Sequence, residues 1–270
     1  MKMDHVYTKD ELWAQLKALG MPRDCVVLVH TSLRLIGRVE GGAEALLDIL
    51  IEYFTREGGL LCVPTHTWRN LKQEITLDVG DSATCLGAFS DLAAADPRGI
   101  RTENPTHSMA VFGNRERALQ FAAGEIDVIS GTSPDSCYGR LYDEGGYVLL
   151  VGVAHNRNTY LHAVSEILGI PNRITAERRT VKIRRASGEV VERSMHTHKT
   201  DYTVDISQRF PKYETAFRYH GAITDGRLGN APVQACDARI MKETVELIWK
   251  NAGGEDPLAD EKAILPRLYC

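Results

Sequence analysis

Residues 25–48 read CVVLVHTSLRLIGRVEGGAEALLD, and the fold class turns on this stretch. Cys25–His30 is a short apolar run rich in β-branched residues, followed at once by the polar pair Thr31-Ser32. Such a run predicts a central strand, buried on both faces. The glycine-bearing segment Gly37–Gly42 comes next, and residues 43–55 carry the spacing of a helix. A strand, a turn and a helix in that order make an α/β unit.

The same pattern extends outward. Upstream, Thr8 and Glu11 form a capping box that opens a helix through about Leu19, which Gly20-Met21-Pro22 ends. Downstream, Gly58–Thr65 predicts a second strand, whereas residues 69–108 show little period. So long an irregular stretch more often surrounds a site than fills space. Helices are then expected at Asn114–Ala123, Ser136–Asp143 and Asn158–Leu168, with a strand at Tyr147–Val153. Residues 181–183 and 190–194, joined around Ser187-Gly188, read as a hairpin. Helical segments near Tyr213–Tyr219 and Asp237–Ala252 follow, and the apolar end Ile264–Tyr269 packs back on the domain or on a partner. With no repeat, linker or composition break, the expectation is one α/β domain over residues 1–270, a central mixed sheet flanked by helices.

Composition narrows the function classes. The chain has 270 residues, 43% hydrophobic and 25% charged, which excludes disorder and a collagen-like or disulfide-stapled scaffold. Its 32 basic and 36 acidic residues leave a net charge of −4, with no electrostatic footprint for nucleic acid. The polar start MKMDHVYTKDELW is unlike a signal peptide, and the apolar runs are too short to span a bilayer. Six cysteines without a CxxC pair read as reduced thiols of a cytoplasmic protein.

Candidate chemistry gathers where strands end. His30-Thr31-Ser32, Thr65-His66-Thr67 and His155–Thr159 each follow an apolar run, and ligands of open α/β sheets bind beyond the carboxyl ends of strands. Gly37–Gly42 before a helix could cradle a phosphate on backbone N–H groups, or form only a turn. His162 and Glu166 lie one helical turn apart, so the carboxylate could orient the imidazole as a general base, or the two could form an ordinary surface pair. His196 and His198 would share a face on a strand, yet no third ligand stands at a recognisable spacing, so no metal is expected.

In this order, residues 29–48 (VHTSLRLIGRVEGGAEALLD), 58–68 (GGLLCVPTHTW), 103–113 (ENPTHSMAVFG), 131–136 (GTSPDS), 145–153 (GGYVLLVGV) and 158–166 (NTYLHAVSE) resemble the aminoglycoside 3-N-acetyltransferase family. The later DGRLGNAPVQACDA at 225–238 is similar to that family's C-terminal segment. The resemblance covers roughly residues 10–250. It implies an α/β fold distinct from the GNAT acetyltransferases, with acetyl-CoA as co-substrate and no metal.

The resemblance also implies roles. Thr31, Ser32 and Leu33 would line the pantetheine arm, and Ile36, Gly37, Val39, Gly41 and Gly42 would receive the CoA phosphates. Ser108, with Met109 beside it, would sit near the thioester. His162 would be the base, and Thr67 and Trp68 would fall where the family's acceptor pocket begins. Apart from the resemblance, the chemistry asks for one or two oxyanion donors from the Thr31–Leu33 backbone or the Thr67 hydroxyl, and Trp68, His198 and Glu214 are candidates to face the acceptor amine. The sequence departs from the family where Ser165 precedes Glu166, leaving Glu166, Glu103 or Glu214 to orient His162. Residues 125–130 (EIDVIS) lack the histidine that many members carry there, and His196-Thr197-His198 stands where resistance enzymes tend to have acids. The expected activity is therefore acetyl transfer to the 3-amino group of an aminoglycoside. The alternatives are acyl transfer to an endogenous amine and a CoA-binding paralogue without activity.

Overall fold

Alternation along the central strands builds two cores from one sheet. In Val26–Thr31, Val26 and Leu28 point to one face and Val27 and Val29 to the other, and all four are buried. Leu60 and Cys62 against Leu61 and Val63 repeat the pattern in Leu60–Pro64, as do Val148 and Leu150 against Leu149 and Val151 in Tyr147–Val151. Successive side chains on a strand leave opposite faces, so a continuous apolar run needs cover on both sides. Helices Cys137–Asp143, Tyr160–Ile167 and Ala238–Asn251 supply it on the first face; Lys9–Ala18, Gly42–Thr55 and Ala88–Ala95 supply it on the second.

The structure is a computed structural model that describes residues 5–199 and 205–270. Its main sheet has seven strands in the order Ile223–Leu228, Ala231–Asp237, Tyr147–Val151, Val26–Thr31, Leu60–Pro64, Met109–Phe112 and Ile100–Arg101. Val26–Thr31 runs parallel to both its neighbours, and the outer pairings are antiparallel. The expected mixed α/β sheet flanked by helices is therefore what the chain forms. A smaller sheet pairs the hairpin Arg179–Arg184 and Val190–Met195 with Leu77–Asp78.

Most expected elements stand within a residue or two of their bounds. Thr8 and Glu11 make both halves of the capping box on Lys9–Ala18. The irregular stretch 69–108 holds the helix Ala88–Ala95 and two-residue strands at Leu77–Asp78 and Ile100–Arg101. Three further strands of the main sheet lie outside the expected set: Met109–Phe112, Ile223–Leu228 and Ala231–Asp237. The apolar end packs back on the domain: Ile264, Leu268 and Tyr269 lie against the first core. No helix among the described residues is long and apolar enough to cross a membrane.

Candidate active site

Three parallel strands, Val26–Thr31, Leu60–Pro64 and Tyr147–Val151, end on the same edge of the sheet, and the antiparallel Met109–Phe112 begins there. The chain entering and leaving these strands therefore delivers His30, His66, His107 and the helix bearing His162 to one region. The backbone pairing of the sheet continues past the strand ends: the Thr65 amide donates to the Ser108 carbonyl at 2.8 Å and the Thr67 amide to the Thr106 carbonyl at 2.9 Å. This ladder sets His66 beside His107, ring centroids 4.5 Å apart.

A row of imidazoles crosses the site. His107 lies 4.7 Å from His198, and His198 stacks on His162 with centroids 4.2 Å apart and planes 13° from parallel. Phe210 meets the His162 ring edge-on at 4.8 Å. At the other end, His66 Nε2 and the Tyr138 hydroxyl share a hydrogen bond of 2.6 Å, and Thr106 Oγ1 does the same with His107 Nδ1 at 2.9 Å. Gly131 is required at this point. A Cβ there would meet His107 Nδ1 at 2.2 Å and Thr106 Oγ1 at 2.7 Å, so any side chain would force the His107 ring or Thr106 to shift.

Burial keeps these rings neutral. His66, His107 and His162 are all held well below the ordinary imidazole range, chiefly because desolvation penalises the cation. For His162 the neighbouring His198, Arg173 and His66 act in the same direction. His162 is half-buried, and its ring makes no hydrogen bond among the described residues, so both nitrogens remain available to a ligand. An uncharged imidazole at the mouth of strand ends is the protonation state that a general base needs.

The carboxylate expected beside it is elsewhere. Glu166 shares the helix Tyr160–Ile167 with His162 but accepts hydrogen bonds from the Ser130 hydroxyl and, at 2.6 Å, from the Thr132 hydroxyl. The direct His162–Glu166 pair is thus not formed, because the turn at 130–133 supplies better donors. Neither alternative replaces it. Glu103 pairs with Arg185 at 2.7 Å; Glu214 pairs with Arg218 at 2.9 Å and accepts from Gln234. Among the groups that press on a titrating histidine, Glu214 acts on His155, not on His162.

The remaining expected residues differ in what they can still offer a ligand. The Thr67 hydroxyl donates to the Pro105 carbonyl at 3.2 Å, and the Ser32 amide to the Val151 carbonyl at 2.9 Å, so neither proton is free for an oxyanion. By contrast, Thr31 Oγ1 is buried without a partner, and the Leu33 amide opens the four-residue helix Leu33–Ile36, where helix geometry consumes no N–H. Ser108 is fully buried and donates to the Thr65 carbonyl at 2.8 Å, with Met109 buried next to it in the strand. Ser108 therefore holds two segments together at the site. Trp68 is exposed at the mouth, under the Arg69 guanidinium. His196 is turned away: its Nδ1 meets the Thr175 carbonyl at 2.8 Å and Arg178 donates to its Nε2. Among the described residues no three His, Cys, Asp or Glu side chains are disposed to hold a metal ion.

The glycine loop fits an anion. Gly37, Gly41 and Gly42 all have positive φ (89°, 78° and 74°), and Gly41 opens the 14-residue helix Gly42–Thr55 without a side-chain cap. Its first amides point outward, at the positive end of the helix dipole. Val39 anchors the loop by pairing with Tyr7, and Ile36, buried behind it, accepts from the Asn230 amide at 2.9 Å. Asn230 also closes the loop from the side, since a Cβ on Gly37 would lie 2.6 Å from its Nδ2. Gly37→Ala is therefore expected to shift this loop, with a stability loss of about 1–2 kcal/mol from the positive-φ backbone alone. Thermal melts beside the parent check this; an unchanged midpoint would mean that the loop accommodates a Cβ.

Local patterns in the sequence do not single out His107, Tyr138, Ser130 and Thr132. His107 and Thr132 do stand inside the conspicuous ENPTHS and GTSPDS stretches, and that placement is the signal that could find them.

The model for aminoglycoside 3-N-acetyltransferases matches residues 28–248. Among curated proteins, the aminoglycoside N(3')-acetyltransferase-like protein YokD of Bacillus subtilis is 28% identical over 181 residues, 57% of this chain and 63% of that one. Aminoglycoside N(3)-acetyltransferase IV of Salmonella sp. is 32% identical over 171 residues, 63% of this chain and 62% of its own length. The matched stretch thus spans less than two thirds of either relative. Among solved structures, a variant of aminoglycoside acetyltransferase AAC(3)-IVa in complex with a gentamicin superposes with a TM-score of 0.76 at 25% identity, covering 98% of this chain and 97% of that one.

Proposed function

Because the chain belongs to the aminoglycoside 3-N-acetyltransferase family, we propose that it moves the acetyl group of acetyl-CoA to the 3-amino group of an aminoglycoside. The observation that carries this reading is the neutral, unbonded His162 ring at the strand ends, on the same sheet edge as the loop at 37–42. The relative bound to a gentamicin supports an aminoglycoside acceptor. We further take residues 1–270 to act as one domain in the cytoplasm, in keeping with six free cysteines.

The chemistry needs a base, an anion cradle and oxyanion donors. The attacking amine forms a bond to the acetyl carbon, and His162 takes the proton that this nitrogen loses. The Thr31 hydroxyl and the Leu33 amide are the donors available to the carbonyl oxygen as it gains charge. The C–S bond then breaks, and the CoA sulfur leaves with the proton held by His162. Transfer is direct, in a ternary complex. The exposed Arg34 and Arg38 flank the glycine loop and add charge for the CoA phosphates.

A second reading, an endogenous amine as acceptor, is favoured by His198 where acids would bind a polyamine sugar. Thiol release from acetyl-CoA, measured with aminoglycosides bearing a free 3-amino group beside simpler amines, tests both. Turnover with the aminoglycosides supports the first reading; turnover confined to the simpler amines replaces it with the second. CoA binding without turnover of any amine overturns both.

A further inference from the structure

We propose that His198 is a positioning residue for His162, held by a Glu166–Thr132 relay, so that Glu166 reaches the base through a second histidine and not directly. The proposal rests on His162 being the base.

Hydrogen-bond directions fix the state of the ring. A Glu166 carboxylate only accepts, so the Thr132 hydroxyl, 2.6 Å from Oε1, donates its one proton there. Thr132 Oγ1 is then left with lone pairs alone, and it lies 2.8 Å from His198 Nε2. That nitrogen must therefore be the donor, which places a proton on Nε2. Ser130 donates to the other carboxylate oxygen and stops the glutamate from turning towards His162.

Backbone contacts hold the same ring from behind. Residue 198 bridges Ile174, the Thr175 amide donates to the Thr197 carbonyl at 2.8 Å, and the Lys199 amide donates to the Arg173 carbonyl at 2.9 Å. The His196 amide reaches the Ile129 carbonyl at 2.8 Å, laying the segment along the turn that carries Ser130 and Thr132. His198 is thus fixed on three sides, and its flat face meets His162 at 4.2 Å. Phe210 closes on the edge of His162. A base ring held between a stacked imidazole and an edge-on phenyl has one orientation to offer a substrate, which is what near-attack geometry demands. A carboxylate bonded directly to His162 would occupy one of its nitrogens; this arrangement orients the ring and leaves both free.

The test compares His198→Ala, His198→Phe and Thr132→Val, by kinetics with an amine that is turned over and by ¹⁵N NMR of the histidine rings. His198→Ala should lower kcat about 30-fold with KM for acetyl-CoA within about twofold, the scale expected when a reacting group loses its orientation. His198→Phe, which restores a flat ring, should recover kcat to within about threefold of the parent. In the parent, NMR should show a proton on His198 Nε2, and Thr132→Val should leave that nitrogen without a fixed proton. Wild-type kcat in His198→Ala overturns the proposal, as does a His198→Phe variant no better than alanine, or a parent His198 without a proton on Nε2. The Nε2 proton and the ring contact are read without any substrate, so an enzyme inactive on every amine counts against the proposed activity while NMR still judges the relay.

Discussion

His162→Ala is expected to lower kcat by about 10²–10⁴-fold, the range general-base catalysis supplies, while acetyl-CoA binds as before. An amine near neutral pH is mostly protonated and unreactive, and even its neutral form must shed a proton after attacking the thioester. The nitrogen becomes far more acidic once it bonds to the acetyl carbon, so a weak base suffices to take the proton. On the proposed reading His162 is such a base: desolvation, with His198, Arg173 and His66, keeps it uncharged. The sign follows for pH. A histidine whose pKa is lowered stays competent below the ordinary imidazole range, so an acid limb in kcat near 6.5 would belong to another group. CoA should be unaffected, because its expected contacts, Thr31 to Gly42 with Ser108 and Met109, lie on other elements. Steady-state kinetics with calorimetric titration of CoA checks both halves. Near-normal turnover in His162→Ala would remove it as the base.

Mild acid should unfold the protein steeply. His30, His66, His107 and His155 are all buried, and desolvation lowers His30 to about 3 and His155 to about 4 from 6.5. Histidines in the unfolded chain take up protons from about pH 6.5 downward, whereas these stay neutral in the fold. Stability is therefore fully present above about 6.5 and is lost as pH falls towards the folded values. At pH 5 each of His30 and His155 costs about 2 kcal/mol, and His66 and His107 add in the same direction. Against a total stability of about 5–15 kcal/mol, that loss is decisive. Urea unfolding monitored between pH 7 and 5 should show the midpoint falling sharply. Replacing His155, which packs on Phe217, with phenylalanine should reduce the slope by about 1.4 kcal/mol per pH unit. A flat profile over this range would mean that the buried rings take up protons in place.

Much of the fold is legible in the sequence because it rests on local signals. The apolar runs at 25–30, 58–65 and 147–153, the Thr8–Glu11 capping box and the helix after Gly42 all appear in the structure with small shifts of boundary. The unexpected strands show where such signals fail. Met109–Phe112 has four residues, too few for a period to emerge beside Pro105 and Gly113. The C-terminal hairpin carries Gly226 and Pro232, which argue against strands, although its two-residue Gly229-Asn230 loop is a readable hairpin signature.

The active-site region divides the same way. Sequence alone determined that polar residues follow the parallel strands, that glycines precede a long helix, and that His162 shares a helix face with Glu166. Each is a matter of short spacing along the chain. Only the tertiary structure decided what those residues touch. His66, His107, His162 and His198 come from four segments, and their row exists because the sheet order sets residues 65–67 beside 106–108 and the turn at 130–132 under residue 198. Helical spacing brought Glu166 within reach of His162, but a carboxylate goes where donors are closest, and Ser130 and Thr132 are donors no local pattern could place.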